Sequence, residues 1–421
     1  MSKHTDTIRQ DDESLSGRHE AGRVRRLLIA CCGAHVIQDG LVALQYVLLP
    51  ILAQALQLNY AQVGFLRAIG HLASSVLEIP AGALADRTGA SRLVVFGLIC
   101  AGLGYLGVSF SSGFALLGAC FLIAGVGAGF QHSLSSSIIV NGVPQDFRRK
   151  AMGIYNAAGD GGKLLYTGLF SLGVGAGLVW NWVLLWLALV AIGFGLGCWW
   201  LLIKSAVPDT AIPADRMVEA PGGIAKEDRS SNRWGILQPA RFSVLALIVF
   251  LDSLVQAVVP TFLGFVMLEK GMGEGVAAFA VVIMLIGGMV GKYVCGYSAA
   301  RFGDRITFLV LQLLTVPAVI ALIVFAGETI LILLPLIGLC VQGSSTITYG
   351  SVSDFVDTQH QSKGYALIYS VSSLASVIGP VLVGGLADGL GLDSALWWVA
   401  LTALIPVLMI GVLSPRNEGK A

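Results

Sequence analysis

Ten ionisable side chains lie inside long apolar runs of this 421-residue chain: His35, Asp39, Arg67, His71, Glu78, His132, Asp160, Lys163, Asp252 and Lys292. Placing one such group in hydrocarbon costs about 2.5–3.5 kcal/mol on insertion scales, so they are expected to face a shared polar cavity. The chemistry open to them is proton transfer and ion pairing. A carboxylate in such a cavity can bind and release a proton across a pH gradient, and Arg67, Lys163 and Lys292 can attract an anionic group. His35 and Asp39 are i,i+4 neighbours on one helix face, and Asp160 and Lys163 are i,i+3 neighbours able to neutralise each other. Arg67, His71 and Glu78 share one stripe of their helix. No nucleophile–base set, no Cys-x-x-Cys pair and no clustered metal-ligand motif is apparent, so no enzyme activity, metal or cofactor is expected.

These residues are positioned by an unusually apolar chain. It is 56% hydrophobic and 12% charged, with a mean hydropathy of +0.80, roughly half the charge of a soluble domain. Lipid is its natural solvent, and a net charge of +1 gives no reason to expect a nucleic-acid partner. The seven cysteines all sit in apolar runs and read as small buried hydrophobes. A spanning helix needs about 20 mainly apolar residues. Twelve such stretches occur near 27–51, 60–84, 93–111, 114–140, 151–177, 180–203, 242–267, 276–299, 306–326, 328–350, 364–387 and 393–413. The expected organisation is a polar N-terminal tail (1–26), a six-helix bundle (27–203), a linker rich in Pro, Gly and charge (204–240), a second six-helix bundle (241–413) and a short tail (414–421). The first apolar stretch is too long for a signal-peptide core and is expected to be retained. With both ends inside, 22 of the 26 Lys and Arg fall in cytoplasmic segments and Lys270 alone in the outer loops. That bias predicts a multi-pass inner (plasma) membrane protein with both termini cytoplasmic. Trp180, Trp182, Trp199 and Trp200 mark interfacial ends of the sixth span.

The ten buried ionisable groups fall on spans 1, 2, 4, 5, 7 and 8. At about 1.5 Å per residue, Asp39, Lys163 and Asp252 lie roughly 16–18 Å from the cytoplasmic ends of their helices, and His71 is also near the middle. Transport sites sit near the bilayer midplane, so the layer Asp39, His71, Lys163 and Asp252 is the expected site. An internal repeat reinforces this. Gly82, Arg87 and Gly89 recur as Gly296, Arg301 and Gly303, each 214 residues on, as do Ile154 and Tyr155 in Ile368 and Tyr369, while Asp39 and Asp252 are 213 apart.

The segment Gly82-Ala-Leu84-Ala85-Asp86-Arg87-Thr-Gly89-Ala-Ser-Arg92 resembles the G-x-L-A-D-R-x-G-R-K signature of the loop between helices 2 and 3 in the major facilitator superfamily. Ala90 and Ser91 depart from its basic pair. The resemblance covers essentially the whole chain and implies an all-α membrane fold of twelve transmembrane helices in two six-helix halves. It also implies a conformational latch built from Gly82, Asp86, Arg87, Gly89 and Arg92, with Arg87 and Arg92 as local partners of Asp86. A narrower resemblance is to fosmidomycin-resistance-type efflux proteins, through His35-Val-Ile-Gln-Asp39, the stretch Gly125 to Ser136 with Gln131 and His132, and Gly159-Asp160-Gly161-Gly162. Leu134 and Lys163 depart from that pattern.

Taken together, the chain is expected to be a proton-coupled efflux transporter of a small organic, anionic or drug-like molecule, working by alternating access as a monomer in the lipid bilayer. Asp39, assisted by His35, is the first choice for the proton, with Asp252 second. Arg67, His71, Gln131, His132, Asp160, Lys163 and Lys292 are expected in the substrate cavity; the alternative for Lys292 is that it only partners Asp252 or Glu78. The alternative is a proton symporter taking up a metabolite anion.

Overall fold

The computed structural model describes residues 2–205, 235–357 and 360–413, with side-chain environments from Glu20 onward. Most of the expected linker and the tail 414–421 lie outside the described residues. The chain runs as α1 (Ser2–Leu56), α2 (Tyr60–Thr88), α3 (Ala90–Ser109), α4 (Phe114–Ala128), α5 (His132–Gly142), α6 (Arg148–Gly175), α7 (Trp180–Ser205), α8 (Pro239–Glu269), α9 (Glu274–Phe302), α10 (Asp304–Val324), α11 (Gly327–Gly343), α12 (Ser345–Gly350), α13 (Gln361–Leu390) and α14 (Leu392–Met409). The first helix includes the polar N-terminal stretch expected as a tail, but only Glu20–Leu56 has the length and apolarity of a span.

Among the described residues ten helices are long and apolar enough to cross a membrane, and the bent pair Tyr60–Glu78 and Pro80–Thr88 brings the number to as many as eleven. The bend of 60° falls where Pro80 removes a ladder hydrogen bond. The segment expected at 151–177 is helical as α6, but it is not among the apolar spans. It carries Arg148, Arg149, Lys150, Asp160 and Lys163. Spans four and ten are each two helices in line, α4–α5 and α11–α12.

Local chemistry sets the helix ends. Asn59 caps α2 and forms a reciprocal capping box with Gln62, satisfying two amides that the first turn leaves unpaired. Gly89 ends α2 at φ 93°, and Gly303 ends α9 at φ 83°, a left-handed setting in which Gly avoids a Cβ penalty. Each returns its N–H four residues back, to Ala85 and Ala299. The repeated motif therefore builds the same turn in both halves.

In the first half α1 packs on α6, and α3 packs on α4 and α7; in the second α9 packs on α11, and α10 on α14. The halves meet mainly through α2 against α13 and α6 against α9. At one end this seam is closed. Asp388 of α13 accepts hydrogen bonds from the Tyr60 and Ala61 amides at 2.8 and 2.9 Å, capping α2 from the other half, and the Tyr60 hydroxyl donates to Glu269. A Cβ on Gly64 or Gly384 would strike the Pro380 or Tyr60 carbonyl, so these two glycines allow α2 and α13 to touch. The Gly-rich stretch 125–129 packs likewise, with Gly125 on Gly70 and Gly127 on Gly97. Farther along the seam helices, Glu78 and Tyr369 are exposed.

Candidate functional site

Asp39 lies at the centre of the first half, on α1, and its side chain is 12% exposed. Three elements converge on it. From one turn earlier on α1, His35 brings Nε2 to 3.5 Å from Oδ2. His132, the first residue of α5, places Nε2 at 3.6 Å from Oδ1. Lys163 of α6 places its ammonium 3.2 Å from Oδ2. The His132 approach depends on the interruption of span four. There the ladder tightens to i→i−3 bonds, Phe130 to Gly127 and Gln131 to Ala128, and α5 restarts at His132. The His35 ring stacks on Tyr155 at 4.1 Å, and its Nδ1 donates to the Tyr155 carbonyl at 2.8 Å. With the Nδ1 proton committed, Nε2 meets Asp39 favourably only when a further proton sits on one of the two groups.

A line of alternating charge runs outward from Asp39. Lys163 also reaches Asp160 Oδ1 at 2.9 Å, and Asp160 Oδ1 in turn meets Lys292 of α9 at 3.1 Å. The chain thus crosses from one half of the protein to the other. The alternative reading of Lys292, as a partner of Asp252 or Glu78 only, does not describe its contact: it pairs with Asp160, because α9 packs against α6. A small pocket of about 30 Å³ opens beside this pair, lined by Asp160, Lys163, Leu285, Met289, Lys292 and Gln342. His35, Asp39 and His132 offer ligand atoms within 4.8 Å of one another, a spacing that could hold a metal ion. The Lys163 ammonium already stands as a cation against that carboxylate.

Asp252, the counterpart on α8, is 5% exposed and surrounded by neutral donors. Gln312 Nε2 donates to Oδ1 at 2.6 Å and Gln256 Nε2 to Oδ2 at 2.7 Å. Ser344 Oγ lies 2.8 Å from both oxygens. Ser344 sits between α11 and α12, at the interruption of span ten.

The remaining expected residues divide. Arg67 and His71 do not join the charged chain; they line a separate cavity with Gln38, Gln45, Tyr105 and Gly125, formed by first-half helices alone. Gln131 is buried and bonds Ser135 at 3.1 Å, supporting the α4–α5 junction. In the motif loop Asp86, Arg87 and Arg92 are all exposed, and neither arginine is within ion-pair distance of Asp86 among the described residues. Adjacent helical positions point apart, and Arg92 lies beyond the Gly89 turn. Tyr155, Gln256, Gln312 and Ser344 were not anticipated. A count of uncharged polar groups inside spans would have flagged the two glutamines and the serine. The Tyr155 role uses a backbone carbonyl that no residue type announces.

The fold and this buried polar path are those of a membrane transporter. Residues 31–242 and 245–421 match the Major Facilitator Superfamily, and the chain belongs to that family. It is 24% identical over 404 residues to YfnC of Bacillus subtilis (strain 168), an uncharacterized MFS-type transporter, covering 93% of each chain. It is 22% identical over 417 residues to a gallate transporter of Pseudomonas putida, covering 91% of this chain and 90% of that one. Among solved structures it superposes with a TM-score of 0.72 on an inward-facing, occupied bacterial homolog of the human lysosomal transporter Spinster, at 16% identity, covering 93% and 96% of the two chains. A nucleoside transporter, NupG, gives 0.70 at 11% identity, covering 94% and 99%. The relatives and fold neighbours are transporters, not enzymes, and the chain is a multi-pass membrane transporter of a small molecule.

Proposed function

We propose that this protein carries a small organic anion together with a proton, by alternating access across the plasma membrane. The carrying observation is the four-charge chain Asp39–Lys163–Asp160–Lys292, whose links are 3.2, 2.9 and 3.1 Å. Two carboxylates and two ammonium groups balance to zero. A proton on Asp39 leaves one positive charge in surplus beside the pocket at Asp160 and Lys292, where low dielectric magnifies its pull on an anion. Proton and anion then favour each other's binding, which is the thermodynamic basis of symport. The relative named for gallate, an aromatic carboxylate, supports an anionic cargo. The positive-inside bias supports a cytoplasmic position for both termini, so the seam closed by Asp388 and Glu269 faces outside.

Efflux in exchange for protons is the second reading. One observation favours it: His35, Asp39 and His132, from the two stretches resembling fosmidomycin-resistance efflux proteins, meet around one carboxylate.

Purified protein in liposomes carrying a lumenal pH dye tests both. Gallate and fosmidomycin are supplied outside without a pH gradient. Symport predicts acidification of the lumen as the anion enters, and exchange predicts alkalinisation. Asp39→Asn is expected to abolish either signal. Anion-driven proton movement that survives Asp39→Asn would sink the assignment of the proton to Asp39, and anion flux with no proton movement would make the protein a uniporter.

A further inference from the structure

Arg67 is 5% exposed, and among the described residues its partners are all neutral. Its guanidinium donates to the Val42 carbonyl at 3.2 Å, to Gln45 Oε1 at 2.7 Å and to the Tyr46 hydroxyl at 2.7 Å. It also stacks over the Tyr46 ring at 4.4 Å. Neutral acceptors solvate this charge without neutralising it, and a buried uncompensated charge is strongly unfavourable. Beside Arg67 is the cavity shared with His71 and Gln38. Gln38 is 2% exposed, and its Oε1 has no hydrogen-bond partner. Amide orientation is assigned from the surrounding network. A half-turn of this amide would put N–H donors where the unpartnered oxygen now sits, on a residue that lines the same cavity as Arg67. The free space, about 20 Å³, suits a single body about the size of a water molecule.

We propose that this cavity is a binding site for a small monovalent inorganic anion, chloride in physiological media, held by Arg67 and the amide of Gln38 and flanked by the His71 imidazole. The site lies among α1, α2, α3 and α4, so a resident ion is not on the path of the Asp39–Lys292 chain. Its function is to neutralise the buried guanidinium and tie the four helices together. The site is lined by first-half helices alone and shares no residue with the Asp160–Lys292 pocket, so it is distinct from that of the transported anion and stands whether or not Asp39 carries a proton.

The test is thermal unfolding of the purified full-length protein, followed by tryptophan fluorescence, as sodium gluconate is replaced by sodium chloride or bromide at constant ionic strength. The expected result is a saturable rise in midpoint with either halide. Arg67→Gln is expected to abolish the halide dependence. Gln38→Leu, which leaves Arg67 in place, is expected to weaken halide binding about tenfold, the value of one hydrogen bond to a charge. Crystals grown in bromide should show one anomalous peak beside Arg67. A wild-type midpoint equal in gluconate and halide, or an unchanged halide titration in Gln38→Leu with no bromide peak at Arg67, overturns the proposal. Should Arg67→Gln fail to fold, Gln38→Leu and the bromide peak decide alone.

Discussion

Asp39 and Asp252 occupy matching places on α1 and α8, and each is approached by a residue from an interrupted helix, His132 in one half and Ser344 in the other. Their surroundings are opposite in kind. Asp39 is bounded by two imidazoles and an ammonium, groups that carry or exchange charge. Asp252 is bounded by two amides and a hydroxyl, which can only donate. The duplicated scaffold has kept the position of the acid and changed what faces it. A carboxylate tied to mobile charge can pass a proton and reorganise its neighbours, whereas one fully satisfied by neutral donors holds helices in place. The contrast extends to the repeated tyrosines, for Tyr155 is 2% exposed against His35 while Tyr369 is 53% exposed.

The comparison breaks first at the acids themselves. Asp39→Asn should reduce anion-driven proton movement to that of protein-free liposomes, because it removes the proposed proton site. Asp252→Asn should keep most of the flux. Equal loss in both variants would mean that the two halves share the proton. The next largest effect is expected at Lys163. Lys163→Met leaves both Asp39 and Asp160 short of a cation, and removing one partner of a buried pair is destabilising by about 3–5 kcal/mol. Adding Asp39→Asn should recover part of that loss, with a coupling of about 1–3 kcal/mol in a double-mutant cycle of unfolding free energies. Strict additivity would show that the 3.2 Å contact carries no energy. No such rescue is expected between Asp252→Asn and Lys292→Met, since Lys292 pairs with Asp160.

Much of the charged half of this contrast was legible in the residues. Charge in a span is unfavourable enough to draw attention wherever it occurs, so Asp39, Asp160, Lys163, Asp252 and Lys292 were all candidates, and the i,i+3 pairing of Asp160 with Lys163 followed from helix geometry. The partner of Lys292 was not legible. It depends on α9 abutting α6, a long-range fact that the residue types in a span do not carry. The helix interruptions were hidden as well. Residues 129–131 and Ser344 carry no Pro, and small or polar residues in an apolar run do not reveal where a ladder changes register. Arg67 and His71 read as pore residues because they share a stripe on α2, yet that stripe faces a cavity within the first half.

A smaller effect is expected where α6 crosses α1. A Cβ on Gly159 would lie 2.5 Å from His35 Nε2, closer than real contacts, and 3.0 Å from Asp39 Oδ2, tighter than most. Gly159→Ala must push the imidazole off the Tyr155 carbonyl or move the helix, and overpacking of this kind destabilises by about 1–3 kcal/mol. Proton-coupled flux should fall with it. The position 214 residues on is Ser373, so the second half already accepts a side chain there, and Ser373→Ala should change neither stability nor flux. Wild-type behaviour in Gly159→Ala would show that the His35–Asp39 packing is looser than its distances indicate.

The smallest effects are expected in the neutral cradle. Ser344→Ala removes a hydroxyl shared by both Asp252 oxygens, but Gln312 and Gln256 still donate one bond to each. Hydrogen bonds to a charged group contribute about 1.5–3 kcal/mol. The loss in unfolding free energy should fall at the low end of that range, with flux nearly unchanged. Gln312→Ala should act similarly, because the 2.6 Å bond is one of several. The informative variant is the double one. With Ser344→Ala and Gln312→Ala together, Oδ1 loses both donors given by these side chains, and a buried carboxylate so exposed is expected to take up a proton rather than remain charged. If Asp252 is only a structural anchor, the double variant unfolds more readily but transports with the same proton stoichiometry. A change in that stoichiometry would mean that the neutral cradle, rather than the position of Asp252, is what keeps the second half out of proton coupling.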